Sequence, residues 1–234
     1  MADLLSSSKG ISPDHVNEEL DKLCMAHFGN KPYVADGIFR HSADTQWAKA
    51  HPRVLFVLKQ PNSNDLLGED YRDYTINDML GNQNWEQLLA RLYGIMHASR
   101  TGFPSYEEAT RPENIRQTFH DYPFAMINII KDDGSGTTDT NALFEYASAY
   151  AAFIRQQVSI LRPNLIVCCG RGVYGSLNPI LTPSIPASSA WVKVNEALGI
   201  TFFDTWHPGK PNAEKKLKEA YEEPLKEYIE LVRD

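Results

Sequence analysis

The chain has 234 residues, of which 42% are hydrophobic and 23% charged. These are the proportions of a soluble globular protein long enough to bury a core without staples. Its formal net charge of −7 opposes broad binding to a phosphate backbone, which depends on Lys and Arg.

Met1–Gly10 is polar and serine-rich, with no apolar signal-peptide core. A flexible stretch over 1–12 and a cytoplasmic address are therefore expected. An N-terminal helix is expected over 13–28: Ser12 can cap it, Pro13 suits its first turn, and Val16, Leu20, Leu23 and His27 share one face. Residues 29–46 are loop-rich. Arg53–Leu58 is apolar almost throughout, as a strand covered on both sides by helices tends to be. A polar loop follows Pro61. Trp85–His97 reads as a helix with Leu88, Leu89, Leu92 and Ile95 on its buried side, and Glu113–Phe119 as a shorter one after Pro112. Phe124–Ile130 is the second strand, and Lys131–Thr138 is a loop by composition.

Asn141–Leu161 predicts one long amphipathic helix, and Leu165–Cys169 a third buried strand. The three cysteines, Cys24, Cys168 and Cys169, form no disulfide framework and fall short of the four thiolates of an iron–sulfur cluster. The adjacent pair reads as small apolar core residues. Gly170–Leu177 turns into a short helix, and the proline- and serine-rich stretch 178–190 reads as a loop. Gly199–Phe203 is a fourth strand leading to His207, and Glu214–Val232 closes the chain as a helix. Alternating strands and helices with parallel-type apolar runs give an α/β layered fold. With neither repeat nor linker, residues 1–234 read as a single domain. No run approaches the ~20 apolar residues of a membrane span, so no membrane partner is expected.

Three strand ends carry polar residues suited to chemistry, and an open α/β sheet places its site where parallel strands end. Asn128 offers an amide acceptor and donor side by side, which match the edge of a planar base, or tidy the backbone where the strand stops. Gln60, held out of helical φ/ψ by Pro61, can position a water or a hydroxyl but cannot take a proton, or serves ordinary loop hydrogen bonding. His207 can donate to developing negative charge or stand as a satisfied structural residue. His51, His97 and His120 are scattered and give no zinc pattern, so no metal is expected.

Gly170-Arg171-Gly172-Val173-Tyr174-Gly175 matches G-x-G-x-x-G. Pro179, Pro183 and Pro186 then interrupt the helix early, and the acidic residue of a dinucleotide fold is missing from its place. No cofactor is expected. Asp65, Glu69, Asp70, Asp132 and Asp133 sit in loops near strand ends as candidate general bases or solvated turn carboxylates. Lys210, Lys215, Lys216 and Lys218 interleave with glutamates as on a solvated helix face.

In this order, Lys59-Gln60-Pro61, Ile127-Asn128-Ile129, Leu165–Gly170 with Ser176, and His207-Pro208-Gly209 resemble the motifs of the uracil-DNA glycosylase superfamily. The likeness spans about residues 50–215. Leu80-Gly81-Asn82-Gln83-Asn84-Trp85-Glu86-Gln87-Leu88-Leu89 is similar to the helix start of that family's iron–sulfur branch. The resemblance implies a three-layer fold around a mostly parallel four-stranded sheet. It also implies hydrolysis of the N-glycosidic bond of uracil or another damaged base, flipped out of the stack. Asn128 would then read the base edge, His207 would stabilise the departing base, and Gln60 would direct water. Pro61, Asn62, Tyr71, Tyr74 and Trp85 fall around the base, and Gly170, Arg171, Ser176 and Lys210 near the nucleic-acid backbone.

The chain departs from the family pattern in three ways. Gln60 is not the usual water-directing residue, no leucine follows His207-Pro208-Gly209 as a wedge, and the cluster cysteines are absent. The expected partner is DNA or a nucleobase-containing small molecule, bound by a monomer. The alternatives are a non-catalytic protein that binds a nucleobase, nucleotide or single strand, and a hydrolase of small nucleosides.

Overall fold

Apolar runs of about five residues can bury both faces only inside a sheet covered on both sides. The computed structural model, which describes residues 13–31, 33–40, 47–61, 69–131, 139–181, 190–209 and 214–231, puts the runs there. The strands are β1 (Gly37–Ile38), β2 (Val54–Leu58), β3 (Phe124–Asn128), β4 (Leu165–Cys169), β5 (Val192–Asn195) and β6 (Ile200–Thr205). They form a sheet in the order β1-β3-β2-β4-β6-β5. The four expected strands, β2, β3, β4 and β6, pair in parallel.

The sheet is nevertheless mixed and six-stranded rather than four-stranded, because β1 and β5 add antiparallel edges. Neither edge strand carries an apolar run. β1 is two residues long, and β5 alternates as Val192-Lys193-Val194-Asn195 after the proline-rich stretch. β1 is held by a side chain instead: Asn17 Nδ2 donates to the Ile38 carbonyl at 2.8 Å, and the Ile38 N–H donates to Asn17 Oδ1 at 3.0 Å. An edge that would otherwise offer unpaired backbone groups is thereby covered.

Among the described residues the helices are α1 (Pro13–Phe28), α2 (Ile76–Met79), α3 (Gln83–His97), α4 (Tyr106–Ala109), α5 (Pro112–Asp121), α6 (Thr140–Ala149), α7 (Ala151–Leu161), α8 (Val173–Leu181) and α9 (Glu214–Leu231). Side chains alternate along each strand, so the sheet has two cores. Phe56, Met126, Val167 and Phe203 pack with α3, α5 and α9, through Leu88, Phe119 and Tyr221 among others. Leu55, Ile127, Ile166 and Phe202 pack with α1, α6, α7 and α8, through Leu20, Leu143, Ile154 and Leu177. Helices therefore lie on both faces. None among the described residues is long and apolar enough to cross a membrane.

Two helix expectations are corrected. The single helix expected over Asn141–Leu161 divides at Tyr150, whose ψ of 20° lies outside the helical range; an amphipathic pattern does not register a one-residue break. The helix expected to stop near Leu177 runs on to Leu181 with Pro179 inside it.

A glycine permits the close approach of α3 to α9. A Cβ on Gly94 of α3 would stand 2.6 Å from both Leu225 Cδ1 and Tyr221 Cε2 of α9. Gly94→Val should therefore overpack this contact and cost about 1–3 kcal/mol. A lowered urea midpoint with unchanged far-UV circular dichroism is the expected result.

Candidate functional site

All four parallel strands end on one edge of the sheet. Leu58 lies opposite Asn128 in register, and Cys169 opposite Thr205, so the residues just beyond them emerge side by side. A cavity of about 470 Å³ opens there, lined by Gln60, Pro61, Asn128 and His207 from the strand ends. Tyr71 and Tyr74, with Asn84 and Trp85 from the start of α3, add to its wall, and Leu58, Leu88 and Met126 supply apolar surface. Its size is that of a small-molecule site.

Asn128 is 1% exposed. Its backbone N–H donates to Asp36 Oδ2 at 2.7 Å, and Lys131 Nζ donates to Asp36 Oδ1 at 2.6 Å. Both ionic side chains are buried. Burial pushes the Asp36 carboxyl above the usual carboxylate range, while Lys131 and the Asn128 N–H pull it down. The pair thus pins the end of β3. The Asn128 side-chain nitrogen is buried and makes no hydrogen bond. A buried donor left unmade costs about 1–3 kcal/mol, and this one belongs to a residue that lines the cavity.

His207 Nδ1 accepts the Gly209 N–H at 3.1 Å, which leaves Nε2 to carry the proton of a neutral ring. Burial, then the cations Arg91 and Lys59, lowers its pKa from 6.5 to about 4. The ring is therefore neutral at pH 7. Its turn requires glycine, because a Cβ on Gly209 would lie 1.8 Å from Asn84 Oδ1. That oxygen is itself buried and unpartnered.

Tyr71 and Tyr74 pack against Trp85 with centroid separations of 5.6 and 5.5 Å, and these rings form an aromatic side to the cavity. Two carboxylates also line it. Asp78 accepts from both the N–H and Oγ1 of Thr75 at 2.7 Å, as the cap of α2. Glu69 is exposed and accepts from Tyr74 Oη at 2.6 Å.

Of the residues singled out from sequence, Gln60, Pro61, Tyr71, Tyr74, Trp85, Asn128 and His207 line this one cavity. Asn62 and Lys210, like Asp65, Asp132 and Asp133, lie outside the described residues. Gly170 borders the site: a Cβ there would be 3.5 Å from His207 Cβ and 3.6 Å from Lys59 Cε. Arg171 is exposed beside it.

Ser176 is buried, and its hydroxyl donates to the Gly172 carbonyl at 2.8 Å. Gly172 and Gly175 let α8 approach Thr140 and Phe144 of α6. Asp70 is tied to Arg72 at 2.6 Å. Asp36, Asn84, Arg91 and Lys131 were not singled out as site residues. Only Arg91 leaves a readable signal, a charge on the apolar stripe of α3 beside Leu88 and Leu92.

Among the described residues no group of three His, Cys, Asp or Glu could hold a metal ion. The chain matches no protein-family model and no curated protein sequence.

Lys131→Met leaves Asp36 buried and unpaired, and should cost about 3–5 kcal/mol in urea unfolding. Adding Asp36→Asn, whose amide oxygen still accepts the Asn128 N–H, should restore most of it; a double variant as unstable as the single would contradict the pairing. For His207, the unfolded ring takes up a proton near pH 6.5 and the folded ring only near 4. The unfolded state binds more protons between these values, so stability falls as pH drops through that window. His207→Gln should flatten that part of the Tm–pH curve.

Proposed function

We propose that the cavity holds a nucleobase and that the chain is a divergent member of the uracil-DNA glycosylase superfamily. In this reading it hydrolyses the N-glycosidic bond of uracil or another damaged base in DNA. The observation that carries the proposal is the pairing of Asn128 with His207. An amide with an unmet buried donor and a neutral imidazole carrying Nε2–H line one aromatic-sided cavity at the ends of parallel strands.

In the reaction the C1′–N bond breaks with both electrons leaving on the base. A water oxygen bonds to C1′, and the water gives up a proton. Asn128 holds the base edge through its amide, and Tyr71, Tyr74 and Trp85 supply flat apolar surface. His207 donates from Nε2 to a carbonyl oxygen as negative charge gathers there, and a preorganised donor of this kind is worth far more in a water-excluded site than in solution. Gln60 orients the water but cannot take its proton. Glu69, which is not tied into a helix cap, is the cavity carboxylate able to accept it.

A second reading is a protein that holds a nucleobase or nucleotide without cleaving it. It is favoured by the neutral Gln60 and by the net charge of −7, which weakens attraction to a long phosphate backbone.

The test is base release from uracil-containing single-stranded DNA. Asn128→Ala and His207→Ala should each lower the rate at least ~10²-fold while the protein stays folded. A wild-type protein that releases no base from uracil, hypoxanthine or thymine-mismatch substrates, yet binds free uracil, would move the assignment to the second reading.

A further inference from the structure

We infer that Arg91 is a positioning residue of this site, a buried cation that ties the end of β6 in place and sets a fixed positive charge behind His207. The inference deepens the nucleobase reading above and rests on it.

Arg91 follows Asn84 and Leu88 along α3 at a spacing that keeps all three on one stripe. Asn84 and Leu88 line the cavity, so Arg91 lies one turn further along the same stripe. Its side chain is buried, with the residue 3% exposed. Nη1 donates to Thr205 Oγ1 at 3.2 Å and to Cys169 Sγ at 3.7 Å. Thr205 Oγ1 donates in turn to the Cys168 carbonyl at 3.1 Å. The guanidinium therefore clasps the ends of β4 and β6, two residues before His207.

No carboxylate among the described residues pairs with Arg91. Nε and Nη2 are buried and unpartnered. Burial raises the Cys169 thiol, so the thiol is neutral and does not balance the charge. Packing does not require this arrangement, because an apolar side chain of similar volume would fill the space without an uncompensated charge. An unbalanced buried cation does suit a site where negative charge appears. When the C1′–N bond breaks, the electron pair moves onto the base, and the charge on Arg91 is already in place with no reorganisation needed.

Other charged groups surround the imidazole. Lys59 from the end of β2 acts on it in the same sense as Arg91. Lys59 is itself influenced by Arg171 and Asp139. Lys216 of α9 sits over the neighbouring Trp206 ring at 5.2 Å. Glu69 and Asp78 line the same cavity as His207.

The experiment is an NMR titration of the His207 ring in the free wild-type protein, Arg91→Met and Arg91→Lys, with kcat and KM for uracil release measured alongside. Arg91→Met should raise the His207 midpoint measurably, by up to about one pH unit. It should also lower kcat about 10–100-fold with KM little changed. Arg91→Lys, which keeps the charge, should hold the midpoint near the wild-type value. A folded Arg91→Met protein with an unmoved midpoint overturns the inference, and Arg91→Gln decides by the same titration if the Met variant does not fold. The titration needs no turnover. A wild-type protein without glycosylase activity would remove the proposed reaction, while the titration would still decide whether Arg91 governs the imidazole.

Discussion

The buried ion pair of Asp36 and Lys131 is the contact on which the site depends. One carboxylate answers both the lysine ammonium and the Asn128 backbone N–H. Removing two charges from water is costly, and such a pair gives little net stability over apolar packing. It does give a fixed geometry. The end of β3 cannot shift without exposing a charge to an apolar interior, so Asn128 is held both by its strand and by the ion pair. The amide whose donor is left unmade is thus seated by groups that are themselves paired.

The surroundings of His207 follow the same logic with the sign reversed. An acidic protein gathers cations around one imidazole: Arg91 within the core and Lys59 at the end of β2, next to Arg171. The Gly209 N–H on Nδ1 then settles which ring nitrogen carries the proton. Net charge describes attraction at long range, and this cluster describes a few ångströms around one side chain. The two can differ in sign because burial, not the total, decides how strongly near neighbours act.

How much of this was legible in the sequence differs by element. β2, β3, β4 and β6 could be read because a strand buried on both faces has few polar positions, and their polar ends pointed to Gln60, Asn128 and His207. β1 could not be read, since its two residues are held by the side chain of Asn17 rather than by an apolar pattern of their own. Asp36 was hidden for a related reason: its partner stands 95 positions away, and no local period records a contact at that range. Arg91 was visible as a charge on an apolar helix face, although its partners, Thr205 and Cys169, are over 75 residues away. Ser176 shows the reverse case, where a residue type suited to surface contacts is buried and its hydroxyl bonds back to the Gly172 carbonyl one turn earlier.

The clasp of Asn17 on Ile38 links the first helix to the cavity, though none of that helix's described residues lines it. β1 is pinned by that clasp, Asp36 immediately precedes β1, and Asp36 seats Asn128. A chain trimmed ahead of Val54 would retain every described residue that lines the cavity, yet the end of β3 at Asn128 would have lost its anchor. The described part of the missing piece meets the rest through α1, β1 and the buried Trp47, whose Nε1 donates to the Leu161 carbonyl, so a separately synthesised peptide spanning it could re-dock. Such docking would be fragment complementation between two segments, one of which contributes none of the described residues of the cavity wall.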